Sequence, residues 1–371
     1  MKIFSVWFLF WQLANKYKHS QSYDNKTLPF KKRKQKRKRK MKKIAGFNCF
    51  EHHYEMFGYL IHYCKERNYS LTIYCHFPYD NGFMEFYHQL FNYPFLYFEQ
   101  LWGAFEYEIN KYDAIVLFTD DDFNFNVHEP KILNRTLMIE HSILRRRNNI
   151  PHALSTRPYD YSFIKKLNNS TEPSTCTWAL PTYPILWPNQ KTPLANLSRQ
   201  TTICMLGSCN RKIDLNILKS FKPLKNTDSK IKLIVISREI EISNFKDLDE
   251  HFEIEFHSNI CTTKLAEILK TVDFLLTDFT DDIKHTTENG GMSGCIPMAF
   301  SFLIPLIISK QSNRIYQFKN VIEFDKLIDN PIQLEWIDPE HIAHEREQIV
   351  DKNMLIFDQI FRTIFMTNGP V

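Results

Sequence analysis

Residues 285–309, HTTENGGMSGCIPMAFSFLIPLIIS, decide the fold class of this chain. A polar loop with Gly290, Gly291 and Gly294 leads into a short run of small and apolar residues, and Pro305 precedes the apolar segment that follows. The first turn of such a helix has backbone N–H groups without partners and a partial positive charge, and glycines let an anion approach the main chain. The stretch predicts an anion-binding loop suited to a nucleoside diphosphate. The alternative is an ordinary loop–helix–strand unit of a Rossmann-like domain.

Apolar runs alternate with amphipathic stretches in two series, one on each side of residues 181–200. That segment contains four prolines and little periodicity, which is typical of a linker between domains. Strands that alternate with helices indicate a parallel sheet with helices on both faces. The sequence therefore predicts an α/β protein with two Rossmann-like doubly wound domains in tandem, followed by one or two long helices over 338–369. The predicted strands are 44–49, 71–75, 114–118, 136–140 and 177–180 in the first series and 202–206, 231–237, 252–257, 274–277 and 305–309 in the second; the predicted helices are 52–66, 82–110, 213–221, 263–271 and 293–303.

The composition indicates a globular protein whose folded part is mildly acidic. Hydrophobic residues make up 43% of the 371 residues and aromatic residues 15%, enough for sizeable cores. The net charge of +5 comes from residues 31–43, because this block contains eleven of the 47 Lys and Arg and the remainder is outnumbered by the 42 Asp and Glu. A mildly acidic body argues against a core that binds nucleic acid. The eight cysteines show no paired spacing, which favours buried free thiols in a reducing compartment.

Residues 1–41 precede the first predicted strand and lack the alternation that begins at Lys42. Their apolar run, 3–11, is shorter than the about 20 residues that a membrane span needs. We therefore predict a disordered extension that the fold does not require. Two alternatives are weak membrane contact, in which the basic block binds anionic lipid, and a nuclear-localisation or nucleic-acid patch. A secretory signal is disfavoured because no A-x-A-like site follows the apolar run.

A strand, a small-residue turn and two cations open the second series, with the sequence ICMLGSCNRK over residues 203–212. Ligands of a doubly wound domain bind outside the carboxyl ends of its strands, where Gly207 and Ser208 are predicted to lie. Arg211 and Lys212 follow directly, and fixed cations there would stabilise the charge on a departing diphosphate. The alternative for the two cations is a solvated helix start.

The two-domain alternation, together with the glycine loop, the short apolar helix and the Pro-led strand, resembles the GT-B glycosyltransferases. In that fold the last helix commonly crosses back onto the first domain. The resemblance implies a nucleotide sugar bound by residues 191–340, an acceptor bound by residues 42–190, and a returning C-terminal helix over residues 341–371. The implied reaction is transfer of the sugar to an acceptor that the sequence does not define. The donor-binding candidates are Gly207, Ser208, Arg211, Lys212, Glu288, Met292, Ser293 and Gly294.

The chain departs from the family-4 type of GT-B enzyme at that type's paired glutamates. Those enzymes carry two glutamates separated by seven residues in the second domain. Alignment on Pro305 places Gly290 and Met298 at the two positions. The departure counts against a family-4-like retaining mechanism more than against the fold, and Glu288 is the alternative candidate for contact with the ribose or the sugar.

The first series supplies candidates for the acceptor side. Glu51 and His52 follow the first predicted strand and should face the cleft between the domains, where either could accept the proton of an acceptor hydroxyl. Histidines at such positions are also commonly structural. His141 follows the strand that ends at Glu140, and Arg145 begins a run of three arginines. We interpret these two residues as acceptor-binding, with a surface helix as the alternative.

Asp120 and Asp122 follow the predicted strand 114–118 in a D-x-D arrangement that resembles the metal site of GT-A glycosyltransferases. Two successive α/β alternations do not fit that fold, so we predict no metal and no cofactor besides the donor substrate.

Two further alternatives for the function are a sugar-nucleotide epimerase of GT-B fold and a non-catalytic binding protein that keeps the fold. We expect a cytoplasmic protein, with peripheral membrane contact through residues 1–40 as the alternative.

Overall fold

Two parallel six-stranded sheets with the same strand order organise the protein. The computed structural model describes residues 40–48, 54–75, 81–101, 109–118, 130–140, 150–156, 178–181, 200–207, 214–223, 230–277, 293–325 and 331–367. The order is β3-β2-β1-β4-β5-β6 in the first sheet and β10-β9-β7-β11-β12-β13 in the second. Both are doubly wound orders, in which the strand sequence reverses once and leaves a crevice at the reversal. The prediction of two Rossmann-like domains in tandem is confirmed.

The first sheet comprises buried apolar strands whose ends carry the polar residues. Alanine, isoleucine, valine, leucine and phenylalanine fill β4, all of them buried, as expected for a strand covered on both faces. The strands are β1 Lys43–Asn48, β2 Ser70–Cys75, β3 Leu96–Gln100, β4 Ala114–Phe118, β5 Thr136–Glu140 and β6 His152–Ser155; the helices are α1 Gly58–Arg67, α2 Phe83–Phe91 and α3 Pro130–Leu133, with 3-10 turns at Tyr54–Phe57 and Ile109–Lys111.

The second sheet repeats this arrangement and is followed by one long helix. A small two-stranded sheet pairs β8 with β14 beside it. The strands are β7 Thr202–Leu206, β8 Phe221–Lys222, β9 Ile231–Ser237, β10 Phe252–Ser258, β11 Phe274–Leu276, β12 Leu306–Ser309, β13 Val321–Phe324 and β14 Ile332–Gln333; the helices are α4 Leu215–Ser220, α5 Thr262–Leu269, α6 Cys295–Phe302, α7 Lys310–Tyr316 and α8 Pro339–Thr367, with a 3-10 helix at Ile242–Leu248.

The region predicted as one helix over 82–110 is wrong in its second half. Helix α2 ends at Phe91, because Asn92 adopts a left-handed conformation with φ 43° and its backbone N–H bonds back to the carbonyl of His88. Pro94 follows, and proline cannot continue the helical hydrogen-bond pattern. The chain then forms β3, whose residues alternate in burial as an edge strand requires.

Helix α8 crosses from the second domain to the first, as predicted for the C-terminal segment. Near its start, the carboxylate of Glu345 accepts hydrogen bonds from the backbone N–H groups of Lys319 at 2.8 Å and Asn320 at 3.1 Å. Further along, the side-chain amide of Asn353 donates to the carbonyl of Leu180 at 2.7 Å. The first contact holds the helix to the loop before β13, and the second holds it to the segment beside β6.

The C-terminal half of α8 packs an aromatic face against α1. Phe357 and Phe361 are fully buried, and their ring centroids lie 5.2 Å and 5.3 Å from that of Tyr63. The Tyr59 ring also contacts Phe357, at 5.1 Å. Beside these rings, Arg67 forms a hydrogen-bonded ion pair with Asp358. The contact is thus an apolar seam with a charged pair at its margin.

Asp358→Asn should lower stability at neutral pH but not in acid. The Arg67 guanidinium, and to a smaller extent the Tyr63 hydroxyl, holds the pKa of Asp358 below its usual range. A carboxyl with a depressed folded-state pKa stabilises the fold above its unfolded pKa, and this contribution disappears as the pH falls through the folded value. Because the ion pair is about one-third exposed, we expect Asp358→Asn to lower the free energy of unfolding by only about 0.5–1 kcal/mol at pH 7. Urea unfolding of the wild type and the variant from neutral to acidic pH measures the difference in their free energies of unfolding. The control is Asp351→Asn, at an exposed position on the same helix. A difference that is the same in acid as at pH 7 would contradict the prediction.

Candidate functional site

The turn after β7 lies at the carboxyl edge of the second sheet. Gly207 has a φ of 101°, a conformation that side chains with a Cβ rarely adopt. Its N–H donates to the carbonyl of Ile236 on the neighbouring strand β9 at 2.9 Å. The turn is therefore fixed by the sheet, and a side chain at this position would strain it.

The start of α6 lies directly against the end of β7. The Cys295 thiol, on the first residue of the helix, donates to the carbonyl of Leu206 at 3.2 Å. Gly294 precedes the helix without a side chain that could cap it, and the Ser293 hydroxyl oxygen is buried without a hydrogen-bond partner. The first turn of a helix attracts anions through its N–H groups and its dipole. The geometry thus places a helix start, an uncommitted hydroxyl and a glycine turn together.

These groups meet at the reversal of strand order in the second sheet. Strand β7 pairs with β9 on one side and with β11 on the other. The residue after β11 is Thr277, which is buried, and its N–H and hydroxyl donate to the carbonyl of Ile307 at 3.0 Å and 3.1 Å. Ligands of open α/β sheets bind outside the carboxyl ends of the strands at such a reversal. This edge is the candidate donor site.

The carboxyl edge of the first sheet holds a buried carboxylate. Glu140 ends β5 and is 1% exposed, and among the described residues it is the one glutamate that is buried. Its backbone carbonyl accepts from the N–H of Thr156, just beyond β6, at 3.2 Å. Asn48, at the end of β1, is also fully buried. The position of the Glu140 carboxylate at the carboxyl end of β5, where ligands of open α/β sheets bind, makes this edge the candidate acceptor site.

A buried cation lies on α8 where the helix passes between the domains. Arg346 is 7% exposed, and burial lowers its pKa to about 10, so it stays charged at neutral pH. On α1, burial lowers the pKa of His62; the Glu66 carboxylate opposes this shift and the Arg346 charge adds to it. Burial therefore disfavours the charged form of His62, while Arg346 keeps its charge with the Glu347 carboxylate nearby.

Three of the predicted site residues fall within the described part of the chain, and the structure brings them to one edge. Gly207, Ser293 and Gly294 lie at the carboxyl edge of the second sheet, through the contacts given above. The other predicted site residues lie outside the described residues: Glu51, His52, His141, Arg145, Ser208, Arg211, Lys212, Glu288 and Met292. Asp120 and Asp122 also lie outside them.

Sequence reasoning missed Glu140 and the thiol of Cys295. The signal for Glu140 was present, since a glutamate closes an otherwise apolar predicted strand, but its burial depends on neighbouring strands. The contact of the Cys295 thiol with Leu206 depends on where β7 ends in space.

Within the described ranges, no group of His, Cys, Asp and Glu is arranged to hold a metal ion, and no helix is long and apolar enough to cross a bilayer.

No family model and no curated protein sequence matches this chain. Solved structures do match its backbone. AviGT4, a glycosyltransferase involved in avilamycin A biosynthesis, is 8% identical, and the match covers 88% of this chain and 98% of AviGT4 with a TM-score of 0.52. Anabaena HepE in complex with UDP is 12% identical with a TM-score of 0.43, and the match covers 89% of this chain and 98% of HepE.

A third structure, an alpha-glucosyltransferase in complex with UDP-glucose and DNA containing an abasic site, is 9% identical with a TM-score of 0.46, and the match covers 88% of this chain and 95% of that chain. The AviGT4 match, with its TM-score of 0.52, supports a common fold and nothing finer. The AviGT4 superposition, the two doubly wound sheets and the returning helix α8 agree with one another. The chain therefore has the two-domain fold of the GT-B glycosyltransferases.

Proposed function

We propose that the protein is a glycosyltransferase that moves a sugar from a nucleotide sugar to an acceptor hydroxyl in the cleft between its domains. The observation that carries the proposal is the meeting of the Gly207 turn, the Ser293 hydroxyl and the start of α6 at the strand reversal of the second sheet. Backbone N–H groups and a free hydroxyl at a helix start suit the diphosphate of a donor. The GT-B fold supports the same reading, because AviGT4 is a glycosyltransferase.

The donor side of the proposal uses fixed positive potential to stabilise the leaving group. As the bond between the sugar and the diphosphate breaks, negative charge grows on the diphosphate, and preorganised donors lower the energy of that state. We assign this role to the start of α6, with Arg211 and Lys212 as the cations. Ser208, Glu288, Met292 and Gly294 complete the proposed donor contacts.

The acceptor side needs a group that takes a proton. As the acceptor oxygen forms its bond to the anomeric carbon, its hydroxyl proton must move to a base and the nucleoside diphosphate must leave. Glu140 is our candidate for this base, because it is a carboxylate placed at the ligand-binding edge of the first sheet. Glu51 and His52 remain proposed catalytic residues from the sequence, and His141 and Arg145 remain proposed acceptor contacts.

The test is incubation of the full chain with a panel of UDP-, GDP- and ADP-sugars, with and without pooled glycan, lipid and protein acceptors. Transfer predicts that release of nucleoside diphosphate rises when a suitable acceptor is present and that the sugar appears on that acceptor. An altered sugar nucleotide without an acceptor product would instead indicate an epimerase. Lack of nucleotide binding and of turnover across the panel would contradict the proposal.

Arg211→Ala or Lys212→Ala should weaken binding of the nucleoside diphosphate about tenfold or more, since loss of one charge-assisted hydrogen bond costs roughly 1.5–3 kcal/mol. Calorimetry on the full chain measures the effect. Lys230→Ala, at the opposite edge of the second sheet, is the control and should leave binding unchanged.

We propose that turnover needs no metal: EDTA should leave it intact, and Asp120→Ala and Asp122→Ala should change it less than about tenfold. Activity that stops with EDTA and returns with Mn²⁺ would overturn this assignment.

A further inference from the structure

A reciprocal set of hydrogen bonds joins the two domains at a point far in sequence from α8. The side-chain amide of Asn81, in the first domain, donates to the carbonyl of Ile260 in the second at 3.0 Å. The carbonyl of Asn81 in turn accepts from the N–H of Thr262 at 3.0 Å and from its hydroxyl at 2.9 Å. We call these three bonds the Asn81 bridge. Each domain both donates to and accepts from the other, so the contact fixes orientation as well as distance.

The local backbone presents these groups to each other. Asn81 has a φ of 54° and precedes Gly82, the residue before α2, which has a φ of 83°. Opposite them, Asn259 has a φ of 51° and precedes α5, whose first residue is Thr262. The first N–H groups of a helix have no partner within the helix. The carbonyl of Asn81 therefore caps α5 from the other domain, and this makes the start of α5 depend on the position of the first domain.

The bridge lies at the ligand-binding side of both sheets. The chain reaches Asn81 after leaving the carboxyl end of β2, and it reaches Asn259 directly after β10, again at a carboxyl end. Ligands of open α/β sheets bind outside the carboxyl ends of their strands. The bridge thus joins the two domains on the side of each sheet that carries the candidate donor edge near Gly207 and the candidate acceptor edge near Glu140.

We propose that the Asn81 bridge is a positioning device that sets the distance between the bound donor and the bound acceptor, an inference that rests on the proposed function. With the bridge intact, the acceptor oxygen is held within attacking distance of the anomeric carbon. Reactions between two bound groups depend steeply on that distance and orientation. Without the bridge each domain still binds its own ligand, but the two ligands meet in the reactive geometry less often.

The double variant Asn81→Gly, Thr262→Val tests the bridge. Glycine tolerates the positive φ at residue 81, and valine keeps the shape of threonine, so two of the three bonds are removed with little local strain. The matched control is Asn92→Gly, Thr271→Val. It makes the same two changes at the other ends of α2 and α5, where Asn92 also has a positive φ and the Thr271 hydroxyl bonds within its own domain, to Ile268.

We expect four results for the bridge variant relative to wild type and control. The transfer kcat falls about tenfold, the summed effect of two hydrogen bonds of ordinary strength. The affinity for nucleoside diphosphate stays within about twofold, and a larger share of the donor is hydrolysed by water. Hydrogen exchange at the amide of Thr262, which needs no activity, becomes about tenfold faster in the variant only.

The outcomes separate the two proposals. Faster exchange at Thr262 with unchanged transfer would show that the bridge exists but does not position the substrates, and unchanged exchange would show that it does not hold the domains; either result overturns the inference. An equal loss of transfer rate in the control variant would also overturn the inference. Absence of turnover in the wild-type chain would instead contradict the proposed function itself.

Discussion

Glu140→Gln is expected to lower the rate of sugar transfer by about a hundredfold or more, the usual effect of removing a positioned proton acceptor. Glutamine keeps the size and the hydrogen-bonding oxygen of glutamate but cannot take up a proton at neutral pH. Glu140 ends β5 at the carboxyl edge of the first sheet, and glutamine keeps the size of the side chain there. The measurement is single-turnover transfer with saturating donor and acceptor, because it isolates the chemical step from binding and product release.

Two comparisons make the Glu140 result specific. Glu99→Gln makes the same change on the exposed edge strand β3 of the same sheet and should leave transfer unchanged. Binding of nucleoside diphosphate to the Glu140 variant should also match wild type, because that site lies on the other domain. A rate within about threefold of wild type would remove Glu140 from the mechanism and leave Glu51 or His52 as the proposed base.

Phe361→Ala is expected to lower the free energy of unfolding by about 3–5 kcal/mol, as truncation of a fully buried phenylalanine usually does. The ring is stacked on that of Tyr63, with an angle of 13° between their planes, and it lies between Phe357 and Phe365 along α8. Alanine would leave a cavity in the seam between α8 and α1. Urea unfolding followed by circular dichroism measures the loss.

The control for Phe361 lies on the same helix. Met366 is 75% exposed, so Met366→Ala removes a side chain of comparable length that fills no cavity, and we expect a change within about 0.5 kcal/mol. If Phe361→Ala were as mild as the control, α8 would not be held to the first domain by its aromatic face. The polar contacts, Arg67 with Asp358 and Asn353 with Leu180, would then have to account for the docking.

The sequence predicts best the limits of strands that consist mainly of apolar residues. The predicted limits of β4, β5, β7 and β9 agree with the structure, because each consists mainly of apolar residues and is bounded by polar or turn residues. Strand β3 was missed because its exposed alternate residues, such as Tyr97, give it an amphipathic pattern that follows directly from that of α2. In β3, therefore, only the residues on the buried face carry an apolar signal.

The site is predictable only where it depends on neighbouring residues in the chain. The glycine turn at Gly207 and the start of α6 near Gly294 are local features, and both can be recognised from the residue types. The contact of Cys295 with Leu206 and the burial of Glu140 depend on strands that pair across crossover connections. No local pattern encodes those distances, so the association of the local motifs into one edge required the structure.

The returning helix α8 also constrains the order in which the protein can be completed during synthesis. The Tyr63 hydroxyl bonds to Asp358, 295 residues later. A ribosome would release the strands of the first domain long before it makes the phenylalanines that cover α1. Until then, the Tyr59 and Tyr63 rings face water, and the nascent first domain presents an aromatic surface of the kind that chaperones bind. Completion of the first domain therefore waits until the second domain and helix α8 have been synthesised.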